Sequence, residues 1–193
     1  MATKGTAERI IDAALQLISE KGYTAATTKA IAELAGVNEV TIFRHFGNKQ
    51  GILKALVNQF SYNPILKGTM RENATWDLET DLLKFSLKYF DYMMSIKDFV
   101  MIGFKEAMHF PEINEEIGNV PLLIKQELVL YFKEMHSRGK IREVNFEAAA
   151  LSLIAINFGH FISRARLGAI VSDIPSEELI KTSIAIFSRG LVS

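Results

Sequence analysis

Between Thr28 and Lys49 the chain gathers side chains whose chemistry suits the edge of a DNA base pair. Lys29 and Arg44 can each donate to guanine, Glu39 can accept from the cytosine N4 amino group, and Val40 can touch a thymine methyl. Such pairings discriminate between bases by roughly 1–3 kcal/mol each when their geometry is good. No catalytic set competes with them. The four histidines, at 45, 109, 136 and 160, never take HExxH spacing, there is no cysteine nucleophile, and GxSxG, GxGxxG and phosphate-loop patterns are missing. An enzyme with an unmarked helical site is therefore a poorly supported alternative, and the residues call for no cofactor and no metal.

These residues need a scaffold that presents them together, and the stretch 27–46, TTKAIAELAGVNEVTIFRHF, supplies one. Counted from Thr28, apolar or small residues fall at Ile31, Ala32, Ala35, Val37 and Ile42, with Gly36 in the ninth place between two helical patterns. That is helix-turn-helix spacing. Ala32 is small where the second helix must cross closely, Gly36 can take the positive φ of the bend, and Asn38 can cap the second helix. The second helix, 39–45, is short, polar at its start and presentable to a major groove. Helix starts at Thr28 and Lys49 offer unpaired amides and a partial positive charge to phosphates. Glu39 also has a plainer reading, as a solvated acid stabilised by the dipole of its helix.

The rest of the composition sets bounds. A chain of 193 residues, 49% apolar and 23% charged, can bury a sizeable core. Its net charge is zero, which argues against a polycationic nucleic-acid coat; residues 1–60 carry seven Lys or Arg against five Asp or Glu, an excess of only +2. The absence of cysteine excludes disulfides and thiolate metal sites. No apolar run reaches 18 residues and the N-terminus lacks the apolar core of a signal peptide, so a soluble cytoplasmic protein is the default expectation.

Helical periodicity continues along the whole chain. Residues 7–20 place Ile10, Ile11, Ala14, Leu17 and Ile18 at helical spacing, with Thr6 as a cap and Gly22 past the end. Asn48 and Lys49 open a helix with Ile52, Leu53, Leu56 and Phe60 on its apolar face, and SYNPILKG at 61–68 breaks the pattern. Further helices are expected at 76–96, at 98–110 ending before Pro111, at 122–137 with Pro121 near its start, at 146–166 after an Asn145 cap, and at 176–189. With no strand alternation, the expected fold is all-α with about nine helices: a helix-turn-helix head at 1–48 and a C-terminal helical bundle at 49–193.

The chain resembles the tetracycline-repressor (TetR) family of bacterial transcriptional regulators. Gly22, Thr27-Thr28, Ile31-Ala32, Ala35-Gly36-Val37, Thr41, Phe43, His45-Phe46 and Asn48-Lys49 carry the match, in register without gaps over about 45 residues. The resemblance implies a homodimer that represses promoters on a palindromic operator and is released by a small effector; it assigns DNA binding to the domain at 1–48 and effector binding and dimerisation to the C-terminal domain at 49–193. It implies that Thr28 touches phosphate and Lys29 a base, that Thr41, Phe43 and His45 make recognition-helix contacts, and that Lys49 meets phosphate. Phe43 departs from the usual tyrosine and lacks the hydroxyl that would bond a phosphate.

The C-terminal half offers a second set of candidates. Phe85, Tyr89, Phe90, Met93, Met94, Met101, Phe104, Met108 and Phe132 can line an adaptable apolar pocket, with His109, Asn157 and His160 to orient a hydrophobic ligand. The same stripe also reads as ordinary core. Phe158, Phe161 and Ile162, with Ile180, Ser183, Ile184, Phe187 and Leu191, give the last two helices more than one apolar face, and the resemblance implies that this pair forms a four-helix bundle with its mate. The competing architectural reading keeps the DNA binding and makes this half a partner-docking module without an effector.

Overall fold

The computed structural model describes residues 5–61 and 69–192, the side chains of 59–61, 69, 112 and 116 excepted. The Phe60 side chain and residues 62–68 of the expected break thus lie outside what is described. Ten helices and no strand are found among those described: α1 Thr6–Ala25, α2 Thr28–Ala35, α3 Glu39–Phe46, α4 Lys49–Ser61, α5 Thr69–Glu72, α6 Leu78–Ser95, α7 Lys97–Ala107, α8 Pro111–Ser137, α9 Phe146–Leu167 and α10 Ser176–Arg189. The tenth is the four-residue α5, too short to leave a periodic signature.

Two compact units form, and their boundary differs from the expected division after residue 48. The first joins Met1–Tyr62 to Asp98–Asn119; the second joins Asn63–Lys97 to Val120–Ser193. The reason lies in the packing of the first core. Ile10, Ala14 and Leu17 of α1, Ile31 and Ala32 of α2, Ile42 of α3, and Ile52 and Leu56 of α4 bury together, with Phe99 of α7 packed against them. A division after 48 would cut Ile52 and Leu56 away from the cluster they complete.

Several helix limits shift for local reasons. Thr6 lies inside α1, where Gly5 is the cap residue and the Glu8 carboxylate reaches back to the Gly5 N–H at 3.0 Å. Gly22, expected past the end of the first helical stretch, does interrupt it: at φ 83° and ψ 164° it makes a non-helical kink, after which a short turn carries α1 on to Ala25. Pro111 opens α8, while Pro121 lies inside the same helix, so the expected start near 122 is corrected to 111. Proline fits the first turn, where its missing N–H costs nothing.

In the second unit α6 packs on both α9 and α10. Its entrance is set by Asp81, buried, which accepts from the Thr75 N–H (2.9 Å), the Thr75 hydroxyl (2.7 Å), the Trp76 N–H (3.0 Å) and the Tyr131 hydroxyl (2.9 Å). The Trp76 ring stacks on Tyr131 and takes the Arg138 guanidinium on its face, 3.8 Å from the ring centroid. Those contacts hold Trp76 at a φ of 60°, outside the usual range for a bulky residue.

Candidate nucleic-acid interface

The reading head is built from caps. Thr27 Oγ1 accepts from the Ala30 N–H at 3.1 Å and starts α2; Asn38 Oδ1 accepts from the Val40 N–H at 2.9 Å and starts α3; Asn48 Oδ1 accepts from the Gly51 N–H at 2.8 Å and starts α4. Between the first two, Gly36 takes the left-handed conformation, φ 65° and ψ 41°, and the Val37 N–H closes onto the Ala32 carbonyl at 3.0 Å. Both the bend at Gly36 and the cap at Asn38 follow the expectation from sequence. At the next corner Gly51 approaches the backbone so closely that a Cβ there would overlap the Phe46 carbonyl oxygen.

On α3 only Ile42 is buried. Val40 is 71% and Phe43 49% exposed, and they share a face with exposed Arg44, at i, i+3 and i+4. Lys29 and His45 are also exposed, and Thr41 is half-buried. A small domain with a closed core has no packing use for Val40 and Phe43 at its surface, but apolar contacts to thymine methyls and sugars do.

Four of the expected DNA-facing groups, Lys49, Thr28, Glu39 and Asn38, already make hydrogen bonds inside the head. The Lys49 ammonium donates to the Tyr23 carbonyl and, at 3.3 Å, to the Thr24 carbonyl, and lies 4.1 Å from the Tyr23 ring centroid. Its cation therefore covers the last carbonyls of α1, a favourable end for positive charge. The Thr28 hydroxyl donates to Glu39 Oε1 at 2.7 Å, linking the first residues of α2 and α3. Asn38 spends its side-chain oxygen on the cap. Sequence reasoning assigned Lys49 and Thr28 to phosphate and foresaw neither bond. Their partners are 26 and 11 residues away, beyond the reach of local patterning.

Sequence reasoning also missed Glu106. Its carboxylate is buried and accepts the Tyr23 N–H at 3.1 Å, while Phe110 packs edge-on against the Tyr23 ring at 4.9 Å. Gly22 gives Glu106 room, since a Cβ there would stand 3.3 Å from Oε1. An open cleft of about 440 Å³ beside this contact is lined by residues that include Lys21, Lys105, Glu106 and His109. His109 thus borders a cleft of mixed polarity.

The ligand-pocket candidates divide between the units. Met101, Phe104, Met108 and His109 belong to the first, and Met108 is 83% exposed, so it lines no enclosed space there. Phe85, Tyr89, Met93, Phe132 and Asn157 belong to the second, where all but half-buried Phe85 are buried. In that unit Ser86 Oγ, Asn157 Nδ2 and His160 Nε2 are buried polar atoms with no hydrogen-bond partner. Burial, and then the nearby Arg164, hold the His160 pKa below its ordinary value, and its ring stacks on Phe90 at 4.9 Å. Burial raises the Tyr89 hydroxyl well above its usual range.

Four of the eight dimer candidates need correction. Phe161, Ile180, Ile184 and Leu191 are buried within their own chain and cannot form an outward face; Phe158, Ile162, Ser183 and Phe187 are half-buried. The outward faces are Leu151, Ala155, Ile156 and Gly159 on α9 and Thr182 and Ile186 on α10, with Leu151 49% and Ile186 67% exposed. Sequence period alone reveals two apolar faces on α9 without telling which one the chain uses for itself.

Comparison with known proteins places this geometry. Residues 10–56 match the model of the tetR family of bacterial regulatory proteins, a span that contains α2, α3 and their packing partners. The uncharacterized HTH-type transcriptional regulator YvkB of Bacillus subtilis (strain 168) is 40% identical over 186 residues, covering 96% of this chain and 97% of that protein. The class D tetracycline repressor protein of Escherichia coli is 41% identical over 49 residues, 25% of this chain and 22% of that one. A TetR-family regulator from Mesorhizobium loti MAFF303099 superposes with a TM-score of 0.78 at 18% identity, covering 97% of each chain. These relatives are regulators, which favours neither the enzyme nor the architectural reading. With a relative this similar over nearly its whole length and the family's DNA-binding segment in place, the chain belongs to the tetR family of helix-turn-helix transcriptional regulators.

Proposed function

We propose that this regulator is a cytoplasmic homodimeric repressor that holds a palindromic operator through α2 and α3 and releases it when a small apolar effector binds the second unit. The observation that carries the reading is the exposed face of Val40, Phe43 and Arg44 on α3, next in sequence to a capped helix start. Phosphates would be gripped by the first amides of α2, which have no acceptor within the helix, and by Lys29. Glu39, Thr41 and His45 complete the base-reading set. A few such contacts repeated in two subunits let a protein of zero net charge hold DNA.

Dimerisation is supported by the outward apolar faces of α9 and α10, which a solitary subunit would leave in water. A two-fold axis would set two recognition helices about 34–36 Å apart, matching successive major grooves. For the effector, the second unit offers Phe85, Tyr89, Met93 and Phe132 together with the unpartnered polar atoms of Ser86, Asn157 and His160. Buried polar atoms without partners are costly, and a ligand that supplied them would bind with orientation as well as affinity. A ligand that prefers a spacing of the heads different from the operator's lowers DNA affinity by linkage.

Selection of genomic fragments by the purified protein tests the DNA reading: an enriched inverted repeat is expected. Retention of an apolar compound in native mass spectrometry, followed by loss of operator binding when that compound is added, tests the effector.

A further inference from the structure

We infer that Thr28 and Glu39 work as one unit that selects a cytosine in each operator half-site, Thr28 as a positioning residue and Glu39 as the reading group. The inference rests on the proposed DNA-binding reading and adds to it the base identity at one position. Its basis is the bond from the Thr28 hydroxyl to Glu39 Oε1, 2.7 Å long, between the first residues of the two motif helices.

Two consequences follow from hydrogen-bond valence. A threonine hydroxyl has a single proton, and here it is given to the carboxylate, so Thr28 cannot also donate it to a phosphate. Phosphate contact at the start of α2 then falls to backbone amides and to Lys29. On the other side, Glu39 Oε2 accepts no hydrogen bond among the described residues, and Glu39 is half-buried. The carboxylate is thus held by one oxygen and can accept with the other.

A carboxylate near a DNA backbone is repelled by phosphates on every sequence. It gains only where the groove offers a donor. Guanine O6 and thymine O4 are acceptors and reject it; adenine pairs its N6 amino group with the neighbouring acceptor N7, which repels a second carboxylate oxygen. Cytosine N4 stands without an adjacent acceptor on the same base and fits best. Glu39 therefore acts as much by penalising other sequences as by favouring one, which is how discrimination exceeds affinity. The bond from Thr28 limits the rotamers from which the carboxylate can approach, so the selection depends on both residues.

The test is parallel selection from a randomised duplex library with full-length wild type, Glu39→Ala, Thr28→Val and Thr28→Ser, followed by binding measurements on the selected site with each of the four base pairs at every position. Wild type is expected to prefer cytosine at one position per half-site by roughly 5- to 150-fold. Glu39→Ala should lose that preference and bind random DNA more tightly; Thr28→Val should weaken the preference at the same position, and Thr28→Ser should keep it. If wild type shows a preferred site but Glu39→Ala changes no single position, the inference is overturned while the DNA reading stands. A uniform loss of affinity in Thr28→Val also overturns it, since that is the signature of a phosphate ligand. A wild type without sequence preference overturns the reading and the inference together.

Discussion

The Glu106 carboxylate accepts the Tyr23 backbone N–H at 3.1 Å, joining residues 83 positions apart in the chain. Through this bond and the Tyr23–Phe110 edge contact, α7 and the start of α8 become part of the DNA-reading unit rather than of the remainder of the chain. Truncation of Glu106 removes this buried carboxylate acceptor from the Tyr23 N–H, a loss of about 1–3 kcal/mol. Glu106→Ala should lower the urea midpoint accordingly, and Glu106→Gln, which keeps an acceptor oxygen, should lower it less. Equal midpoints for both variants and wild type would refute the role.

Two glycines at neighbouring corners separate steric from conformational cost. Gly51→Ala drives a Cβ into the Phe46 carbonyl, so the backbone must shift, and destabilisation of about 1–3 kcal/mol is expected. Gly47 has φ 75° and ψ −47° with nothing within 4 Å of a built Cβ, so Gly47→Ala should cost only the strain of that backbone conformation, about 1–3 kcal/mol. Thermal unfolding of the two variants measures both, and Gly51→Ala as stable as wild type would contradict the close approach.

The head was legible in the sequence because its determinants are local. Gly36 in the ninth place and Asn38 two residues later mark a bend and a cap wherever they occur, and both are found in the structure. What stayed hidden depends on distant partners. Nothing near Lys49 announces that its ammonium will cover the Tyr23 and Thr24 carbonyls, and nothing near Glu106 announces Tyr23. On α9 the apolar residues run around most of the helix, so Phe161 and Ile156 look alike until packing sends the first inward and the second outward. Pro121 misled in the opposite sense: it reads as a helix start, yet α8 had already begun ten residues earlier.

That inward–outward division predicts two different failures. Ile186→Asp places a charge on the outward face of α10 and should convert the proposed dimer to a folded monomer, seen as halved mass by light scattering with an unchanged helical circular dichroism spectrum. Phe161→Asp buries the charge in the chain's own core and should unfold the second unit. A protein that is monomeric before either substitution would contradict the interface.

His160 supplies a pH dependence. Its pKa in the folded protein lies below the ordinary 6.5, so between that depressed value and 6.5 the unfolded chain holds the extra proton. Stability from this group is therefore complete above pH 6.5, falls as the pH drops toward the folded pKa, and levels off below it. His160→Phe should flatten the corresponding part of a stability profile measured between pH 7.5 and 4.5, with other titrating groups common to both proteins. Parallel profiles for the two proteins would contradict the burial of a neutral ring.

The most direct test of the reading head compares Lys29→Ala on α2 with Lys133→Ala, an exposed lysine of α8, against the selected operator over a series of salt concentrations. Lys29→Ala should weaken binding strongly and make the salt dependence shallower, by about one counterion per subunit, while Lys133→Ala should leave affinity and slope as in wild type. If the two variants behave alike, α2 and α3 are not the surface that holds DNA.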